Sequence, residues 1–230
     1  MSGKRIVVAI DGPAGSGKSS IARRLAERLG FRLIDTGAMY RAIGLWALQL
    51  GIPLDDMHRL EQLAREARIE LRGSLPQVFL NGEDVTEAIR TPEVSEAASK
   101  VSTVPGVRRA LVEKQREMAA YGSVVMEGRD IGTVVFPDAQ VKIYLDADPE
   151  VRAERRAKEL REKGWNPNLE EIVREIRDRD RRDRTRADSP LRQAPDAVLV
   201  DTTGMSIEEV EESILKIVRD RTSNGKEALR

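Results

Sequence analysis

Short apolar runs, rich in β-branched residues, recur along this sequence and are separated by stretches in which apolar residues stand three or four positions apart. The runs are typical of strands buried on both faces, and the stretches are typical of amphipathic helices. The predicted strands are residues 6–10, 31–34, 123–126, 141–145 and 197–200. Because helices alternate with these strands, we predict a three-layer α/β fold around a five-stranded parallel sheet.

The pattern changes between residues 51 and 104, where a helical stretch is followed by short alternating runs. These runs are residues 69–71, 77–80 and 83–85. Turn signals separate them, first Gly73-Ser74 and then Asn81-Gly82. Asn-Gly between alternating runs is a strong hairpin signal, because both residues tolerate positive φ. We therefore predict a small antiparallel sheet inserted into the α/β core.

A glycine-rich segment stands between the first predicted strand and the first predicted helix. It fits the phosphate-binding pattern G-x-x-x-x-G-K-[ST] in the strand–loop–helix context that this loop requires. Glycines let backbone N–H groups approach phosphate oxygens, Lys18 can reach the β- and γ-phosphates, and Ser19 can bind Mg²⁺. A plain turn would not need Lys-Ser at the start of an amphipathic helix. The predicted nucleoside triphosphate site is Gly12, Pro13, Ala14, Gly15, Ser16, Gly17, Lys18, Ser19 and Ser20.

Four polar residues follow the second predicted strand, at the edge where open α/β sheets bind ligands. They are Asp35, Thr36, Tyr40 and Arg41. The first two could simply cap the next helix, and the arginine could be a solvated surface residue.

After the third strand, glycines flank the pair Arg129-Asp130, which could be a structural ion pair or contact a ligand. We favour the ligand, because charged residues on a glycine-flanked strand end often serve binding.

Arginines are concentrated between residues 152 and 192, where two predicted helices, 149–163 and 169–186, flank a loop. Two helices joined by a glycine-containing loop beside a nucleotide site are consistent with a hinged lid. Ion pairs along a surface helix explain some of the charges, but they would use lysine as readily as arginine. Arg108 and Arg109 begin another predicted helix, where cations oppose the helix dipole unless an anion is near. The alternative is that Arg108 and Arg109 are ordinary charged surface residues without an anion beside them.

Length and composition limit the possible classes of protein. The chain has 230 residues, no cysteine and a formal net charge of zero. The length suits one domain or one domain with an insertion, and the lack of cysteine excludes disulfides and thiolate metal sites. With no signal peptide and no apolar stretch long enough to cross a bilayer, we expect a soluble, cytoplasmic protein. In the absence of an identifiable apolar seam we expect a monomer.

A phosphate loop, lid arginines and a second site across the crevice together suit phosphoryl transfer, which depends on positioning and charge neutralisation. The guanine-reading pattern N-K-x-D of GTPases is missing from the sequence, and no arginine-finger pattern favours an oligomeric ATPase. A small-molecule kinase is therefore favoured over a GTPase or a mechanical ATPase. A kinase for another small acceptor and a regulatory nucleotide-binding module without turnover are alternatives. A nucleic-acid-binding NTPase is a third, but zero net charge and 3% aromatic residues disfavour it.

Four segments together resemble bacterial cytidylate kinases, and they occur in the order found in that family. They are residues 10–19, 35–41 (Asp-Thr-Gly-Ala-Met-Tyr-Arg), 127–137 (Glu-Gly-Arg-Asp-Ile-Gly-Thr-Val-Val-Phe-Pro) and 179–186. The third is far more specific than the phosphate loop, which many unrelated NTPases share. The resemblance covers nearly the whole chain, and the antiparallel insertion is similar to the extra piece of the long bacterial form. It implies a P-loop NTPase-type fold and transfer of the γ-phosphate of ATP to CMP or dCMP, with Mg²⁺ required.

The resemblance also assigns residues to the substrate sites. The monophosphate site would consist of Thr36, Tyr40, Arg41, Ser99, Arg108, Arg129, Asp130, Asp183 and Arg186. Within it, Arg41 and Arg129 suit a phosphate clamp, and Ser99, Arg129 and Asp130 suit the cytosine edge. Thr36 stands where the family often has serine. The implied catalytic residues are Lys18, Asp130, Arg155 and Arg179, and the implied metal ligand is Ser19.

These patterns divide the chain into parts with different expected roles. We predict a single kinase domain over residues 1–220 and a flexible tail over 221–230. The domain would comprise a core at 1–50, 105–150 and 190–220, a monophosphate-binding insertion at 51–104 and a lid at 150–186. The expected partners are the small nucleotides alone, with neither nucleic acid nor membrane involved.

Overall fold

The computed structural model describes residues 5–73, 77–162 and 164–227. Its strands are β1 (Val7–Asp11), β2 (Arg32–Asp35), β3 (Ile69–Arg72), β4 (Gln77–Leu80), β5 (Glu83–Asp84), β6 (Val124–Gly128), β7 (Val141–Asp146) and β8 (Val198–Asp201). Its α-helices are α1 (Lys18–Leu29), α2 (Thr36–Gln49), α3 (Met57–Glu66), α4 (Pro92–Val101), α5 (Pro105–Met118), α6 (Pro149–Glu162), α7 (Leu169–Thr185) and α8 (Ile207–Glu227). A π-helical turn spans Ile131–Val135.

Five strands form a parallel sheet in the order β2-β6-β1-β7-β8, which confirms the sheet predicted from the apolar runs. β1 and β6 are buried along their whole length, which explains why their sequences are apolar throughout rather than alternating. The register pairs Asp11 with Gly128 and Asp35 with Glu127. The polar ends of three neighbouring strands therefore meet at one edge of the sheet.

Successive residues of β1 face opposite layers of helices. Val8 and Ile10 pack in a buried cluster with apolar residues of α1 and α8. Val7 and Ala9 face the other way, into a cluster that includes Val112 of α5. These two clusters on either side of the sheet produce the predicted three-layer arrangement.

The strands β3, β4 and β5 form the antiparallel sheet that the alternating runs predict. Asn81 and Gly82 make its two-residue hairpin, and their φ angles of 52° and 92° are both positive, as this turn requires. Val78 and Leu80 of β4 join a buried cluster with apolar residues of α2, α3 and α5, so the insertion shares its core with helices of the α/β domain. The other predicted turn includes Ser74, which lies outside the described residues.

The helices α6 and α7 form a separate helical pair. They pack through a small apolar cluster of Ala153, Ala157, Ile172 and Ile176, apart from the cores on either side of the sheet. The pair corresponds to the two helices predicted at 149–163 and 169–186, although Lys163 is outside the described part of the chain. Segments with few buried apolar contacts open at low free-energy cost, which is a property that a lid needs.

The bounds of two helices have identifiable physical causes. α2 begins at Thr36, because the carboxylate of Asp35 accepts a hydrogen bond from the Ala38 N–H group and caps the helix. α8 continues to Glu227, so residues 221–227 of the predicted tail are helical. Apolar spacing marks only the part of a helix that packs on the core, so the sequence pattern does not indicate this extension. Of the helices in the three described ranges, none has the length and apolar character of a membrane span.

Candidate active site

The phosphate loop joins β1 to α1, and neighbouring atoms restrict it at its glycines. A Cβ atom on Gly12 would stand 2.0 Å from the carbonyl oxygen of Leu145, so no larger residue fits there. Gly15 has a φ of +76°, and a Cβ atom on it would stand 3.2 Å from the Cβ of Arg152. Gly17 caps α1 without any side-chain hydrogen bond. The first N–H groups of α1 are therefore available to an anion.

Lys18 is buried and curls back onto the phosphate loop. Its Nζ donates to the carbonyl oxygen of Pro13 at 2.6 Å and to Oγ of Ser16 at 3.3 Å. Burial, and then the positive charge of Arg129, lowers the pKa of Lys18 well below its usual value. A buried ammonium group of this kind is stabilised by an anion placed beside it, which favours phosphate binding at this position.

A cleft of about 1150 Å³ extends from the phosphate loop to the helices α6 and α7 and to α4. The predicted site residues that line it are Ala14, Gly15, Ser16, Gly17, Lys18, Ser19, Ser20, Thr36, Tyr40, Arg41, Arg108, Arg129, Asp130, Arg155, Arg179, Asp183 and Arg186. Gly12, Pro13 and Ser99 are buried and, within the described residues, lie outside this lining. The fold thus brings the two predicted substrate sites together in one cavity.

Three arginines from different elements meet in the middle of the cleft. Arg41 of α2 donates to Asp35 at 2.9 Å, and Nε of Arg129 donates to Asp183 at 2.9 Å. Arg179 of α7 has a buried Nε without a hydrogen-bond partner. Burial, and then the charge of Arg129, lowers the pKa of Arg179 to about 10. These arginines are only partly exposed, and cations in such a setting that repel one another are stabilised by an added anion, so the cluster indicates a site for phosphate groups.

The far end of the cleft contains a buried ion pair between Arg108 and Asp130. The guanidinium carbon of Arg108 also lies 5.7 Å from the ring centre of Tyr40. Burial raises the pKa of Tyr40 to about 12, so its phenol is neutral at physiological pH. Oγ of Ser99 and Nη2 of Arg186 are buried without hydrogen-bond partners. Unused polar atoms at buried positions are expected where a ligand supplies the partner.

Glu127, to which the sequence predictions assign no role, also lines the cleft, at the carboxyl end of β6. Its side chain is buried, and its Oε1 has no hydrogen-bond partner. Burial, and then the negative charge of Asp35, raises the pKa of Glu127 to about 7, although Lys18 acts in the opposite direction. The sequence does carry a signal for this residue, because it is an acidic residue at the end of an apolar strand.

Asp11 is a second residue without a predicted role, and it ends β1 just before the phosphate loop. Its carboxylate oxygens accept hydrogen bonds from the N–H groups of Ile131, at 2.8 Å, and Gly132, at 2.7 Å. Burial raises the pKa of Asp11 to about 6. Asp11 thereby fixes the turn that follows Asp130 and connects it to the start of the phosphate loop.

Two predicted site residues make contacts within the protein that their predicted roles do not require. Arg155 donates to Oγ1 and to the carbonyl oxygen of Thr202, at 2.9 and 2.6 Å, in the loop after β8. The hydroxyl of Thr36 donates to the carbonyl oxygen of Glu127 at 2.7 Å. Both residues line the cleft, and their roles toward substrate stay predictions.

The sequence and geometry agree with a comparison to known protein families. The profile described as "Cytidylate kinase" matches residues 8–220 of this chain. The chain belongs to the cytidylate kinase family. A cytidylate kinase from Solibacter usitatus is 62% identical over 226 residues, which are 97% of each chain. Another cytidylate kinase, from Pelotomaculum thermopropionicum, is 52% identical and covers 95% of this chain and 96% of its own.

Among solved structures, that of an uncharacterized protein from Eubacterium ventriosum is similar to this chain with a TM-score of 0.51. The sequence identity is 14%, and the similarity covers 92% of this chain and 97% of that one. At this level of identity the comparison concerns the fold alone. It is consistent with the predicted α/β architecture, whereas membership of the cytidylate kinase family rests on the sequence comparisons.

Proposed function

We propose that this cytidylate kinase family member transfers the γ-phosphate of ATP to CMP or dCMP and releases ADP with CDP or dCDP. The main support is one cleft in which Lys18 of the phosphate loop meets the guanidinium groups of Arg129 and Arg179. Repulsion among these cations would be relieved by two nucleotides whose phosphate groups meet there. Neither substrate alone would place negative charge on both sides of the cluster.

On the donor side, the phosphate loop would hold ATP through its backbone N–H groups and Lys18. In the described ranges, no three His, Cys, Asp or Glu side chains are placed to hold a metal ion together, so Mg²⁺ would be bound jointly with the phosphates. The residues fit this arrangement, because Ser19 offers a hydroxyl and Glu127 a buried carboxylate oxygen without a partner. When bound, Mg²⁺ would neutralise charge on the phosphate oxygens.

On the acceptor side, Arg41 and Arg129 would hold the phosphate of CMP. A guanidinium group matches phosphate oxygens in a bidentate geometry, and both side chains line the cleft. Asp183 accepts a hydrogen bond from Nε of Arg129, which orients the other nitrogens of that guanidinium group. The residues of this phosphate clamp therefore come from three places, which are α2, the segment after β6 and the lid helix α7.

The base of the acceptor would be recognised at the buried Arg108–Asp130 pair. Cytosine presents an exocyclic amine, which needs an acceptor, and an O2/N3 edge, which needs donors. Asp130 supplies a carboxylate acceptor, and Arg108, its ion-pair partner, supplies a donor beside it. The buried hydroxyl of Ser99 has no hydrogen-bond partner, and it would provide a further group for the base or sugar.

In the transfer step, an oxygen of the acceptor phosphate attacks the γ-phosphorus, and the bond from that phosphorus to the β–γ bridging oxygen breaks. Lys18 would leave the carbonyl of Pro13 and follow the moving group, and Arg179 would neutralise charge that spreads over the equatorial oxygens. These residues act by charge and position, which is the main requirement of this reaction.

The direct test is ADP release measured with a panel of nucleoside monophosphates. We expect release with CMP and dCMP, and rates lower by about tenfold or more with AMP and GMP, because their bases do not match the recognition groups. A Lys18→Ala variant that keeps the wild-type circular dichroism spectrum should lose about 10²- to 10³-fold in kcat. ADP release that is independent of the acceptor, or an undiminished kcat in Lys18→Ala, would contradict the proposal.

The division of the chain into parts belongs to the same proposal. Residues 51–104 would form the monophosphate-binding insertion, and residues 150–186 would form the lid. The separate antiparallel sheet of β3, β4 and β5 and the separate apolar cluster between α6 and α7 support this division. Monomeric state and cytoplasmic location stay predictions from the sequence.

A further inference from the structure

Arg152 lies on α6, in the region predicted to be a lid, yet its side chain is only 1% exposed. Each nitrogen of its guanidinium group donates to a different segment. Nε donates to the carbonyl oxygen of Ala147 at 2.8 Å, and Nη1 to that of Ala14 at 2.9 Å. Nη2 donates to Oδ2 of Asp180 at 2.6 Å. One buried side chain therefore joins the end of β7, the phosphate loop and the lid helix α7.

This arrangement is not the one that stability alone would favour. A buried ion pair loses its hydration, and apolar residues of similar volume are often at least as stable in its place. Asp180 also leaves its Oδ1 buried without a hydrogen-bond partner, which adds a further desolvation cost. The pair between Arg152 and Asp180 is better explained by the geometry that it fixes.

The segments that Arg152 joins carry groups on both sides of the transferring phosphate. Ala14 adjoins Gly15, and a Cβ atom on that glycine would stand 3.2 Å from the Cβ of Arg152. Asp180 directly follows Arg179, the buried cation whose Nε lacks a partner. The guanidinium group of Arg152 thus sets the distance between the phosphate loop and Arg179.

We propose that Arg152 is a positioning residue, which holds the phosphate loop and α7 at the separation that phosphoryl transfer requires. The inference rests on the proposed function. The planar guanidinium group donates in three directions at once, whereas the ammonium group of lysine is a single point charge. Arg152 acts through Ala14 and Asp180, because its enclosed side chain leaves no surface for a substrate.

The test compares the steady-state kinetics of Arg152→Lys, Asp180→Asn and the double variant. We expect kcat to fall about ten- to hundredfold in Arg152→Lys, since a displacement of about 1 Å can cause such a loss. The KM values for ATP and for CMP should each stay within about threefold of the wild type, because the loss is confined to the transition state. The double variant should lose no more than the more impaired single variant, since both residues act through one contact.

Arg177→Lys is a matched control, because Arg177 pairs with Glu150 across the same two helices but on the surface. Its side chain is 60% exposed, and the pair does not include the phosphate loop. This variant should keep the wild-type kcat. Thermal unfolding of every variant establishes that the protein measured is folded.

A wild-type kcat in folded Arg152→Lys would overturn the inference, and so would an equal loss of kcat in Arg177→Lys. If Arg152→Lys does not fold, Asp180→Asn decides the question, because it keeps the shape of the side chain and removes its charge. An undiminished kcat in that variant would also overturn the role of Arg152. Failure of the wild-type protein to phosphorylate CMP or dCMP would instead refute the proposed function itself.

Discussion

At the residue scale, the candidate site is defined by charges that the fold buries without balancing them. Lys18 and Arg179 have pKa values lowered by burial, and Asp11 and Glu127 have pKa values raised by it. Each shift marks a charged form that the free protein disfavours. Bound nucleotide would supply countercharge to the two cations, so the site is arranged for the complex rather than for the empty protein.

Asp11 gives this description a test through pH. The pKa of Asp11 is raised from 3.8 to about 6, so its contribution to stability is present below the unfolded value and is lost as the pH rises through about 6. Asparagine does not titrate. Between pH 4 and pH 7.5, the stability of Asp11→Asn should therefore rise relative to wild type by about 1–3 kcal/mol.

Urea unfolding of both proteins at the two pH values, without nucleotide, measures this difference. Asparagine also replaces one acceptor by a donor, which adds an offset that is common to both pH values. The comparison therefore depends on the change with pH and not on the absolute stability of the variant. A difference that stays constant, or that moves in favour of the wild type as the pH rises, would contradict the raised pKa.

Asp130 provides a test of base recognition. Its carboxylate is an acceptor, whereas asparagine adds an N–H₂ donor that suits the O4 oxygen of uracil. Asp130→Asn should therefore lower kcat/KM for CMP and shift the ratio of CMP to UMP use by about tenfold or more toward UMP. Asparagine is preferred to alanine here, because its amide oxygen can still accept a hydrogen bond from the buried guanidinium group of Arg108, whereas alanine would remove that acceptor as well as the charge. The KM for ATP is the internal control, and an unchanged selectivity would count against the assignment.

At the scale of elements, α7 connects the separate parts of the site. Asp183 on this helix contacts Arg129, and Arg182 makes two hydrogen bonds to Glu96 of α4, at 3.0 and 3.1 Å. The helix α7 is therefore in contact with α4 of the insertion. Because Arg182 and Glu96 are partly exposed, this ion pair contributes little by itself and can open and close.

Nucleotide binding should reduce the mobility of this helical pair. We expect residues 149–162 and 169–185 to gain protection from amide hydrogen exchange when ATP analogue and CMP are both present, and less with either alone. The physical reason is that phosphate groups from both nucleotides neutralise the arginines of the lid and of the core together. Protection that appears at the phosphate loop but not in the two helices would argue against a closing lid.

At the scale of the whole molecule, local patterns account for most of the fold. Apolar runs identify the five parallel strands, and Asn81-Gly82 identifies the hairpin, because both signals depend on neighbouring residues only. The topology of a parallel sheet, whose carboxyl ends share an edge, explains why Lys18 and Arg129 lie in one cleft, because they follow β1 and β6. Arg179 enters the same cleft from α7. Helix ends were less predictable where a polar surface continues a helix, as in α8.

The sequence predictions missed residues whose importance depends on distant partners. Strand register sets Glu127 beside Asp35. Asp11 becomes significant through its hydrogen bond from the Gly132 N–H group, which is far away in the sequence. Arg152 is one of many arginines in its region, and nothing in the local pattern separates it from exposed neighbours. Its burial follows from the way α6 packs between the phosphate loop and α7.

The most direct test of the central claim is a crystal structure of the protein with CMP and a non-hydrolysable ATP analogue. The expected result is that Lys18 and the phosphate loop hold the γ-phosphate of the analogue, with the phosphate of CMP on Arg41 and Arg129 and the two phosphates facing each other. CMP bound with its phosphate away from these two arginines would contradict the claim, as would an ATP analogue that does not occupy the phosphate loop.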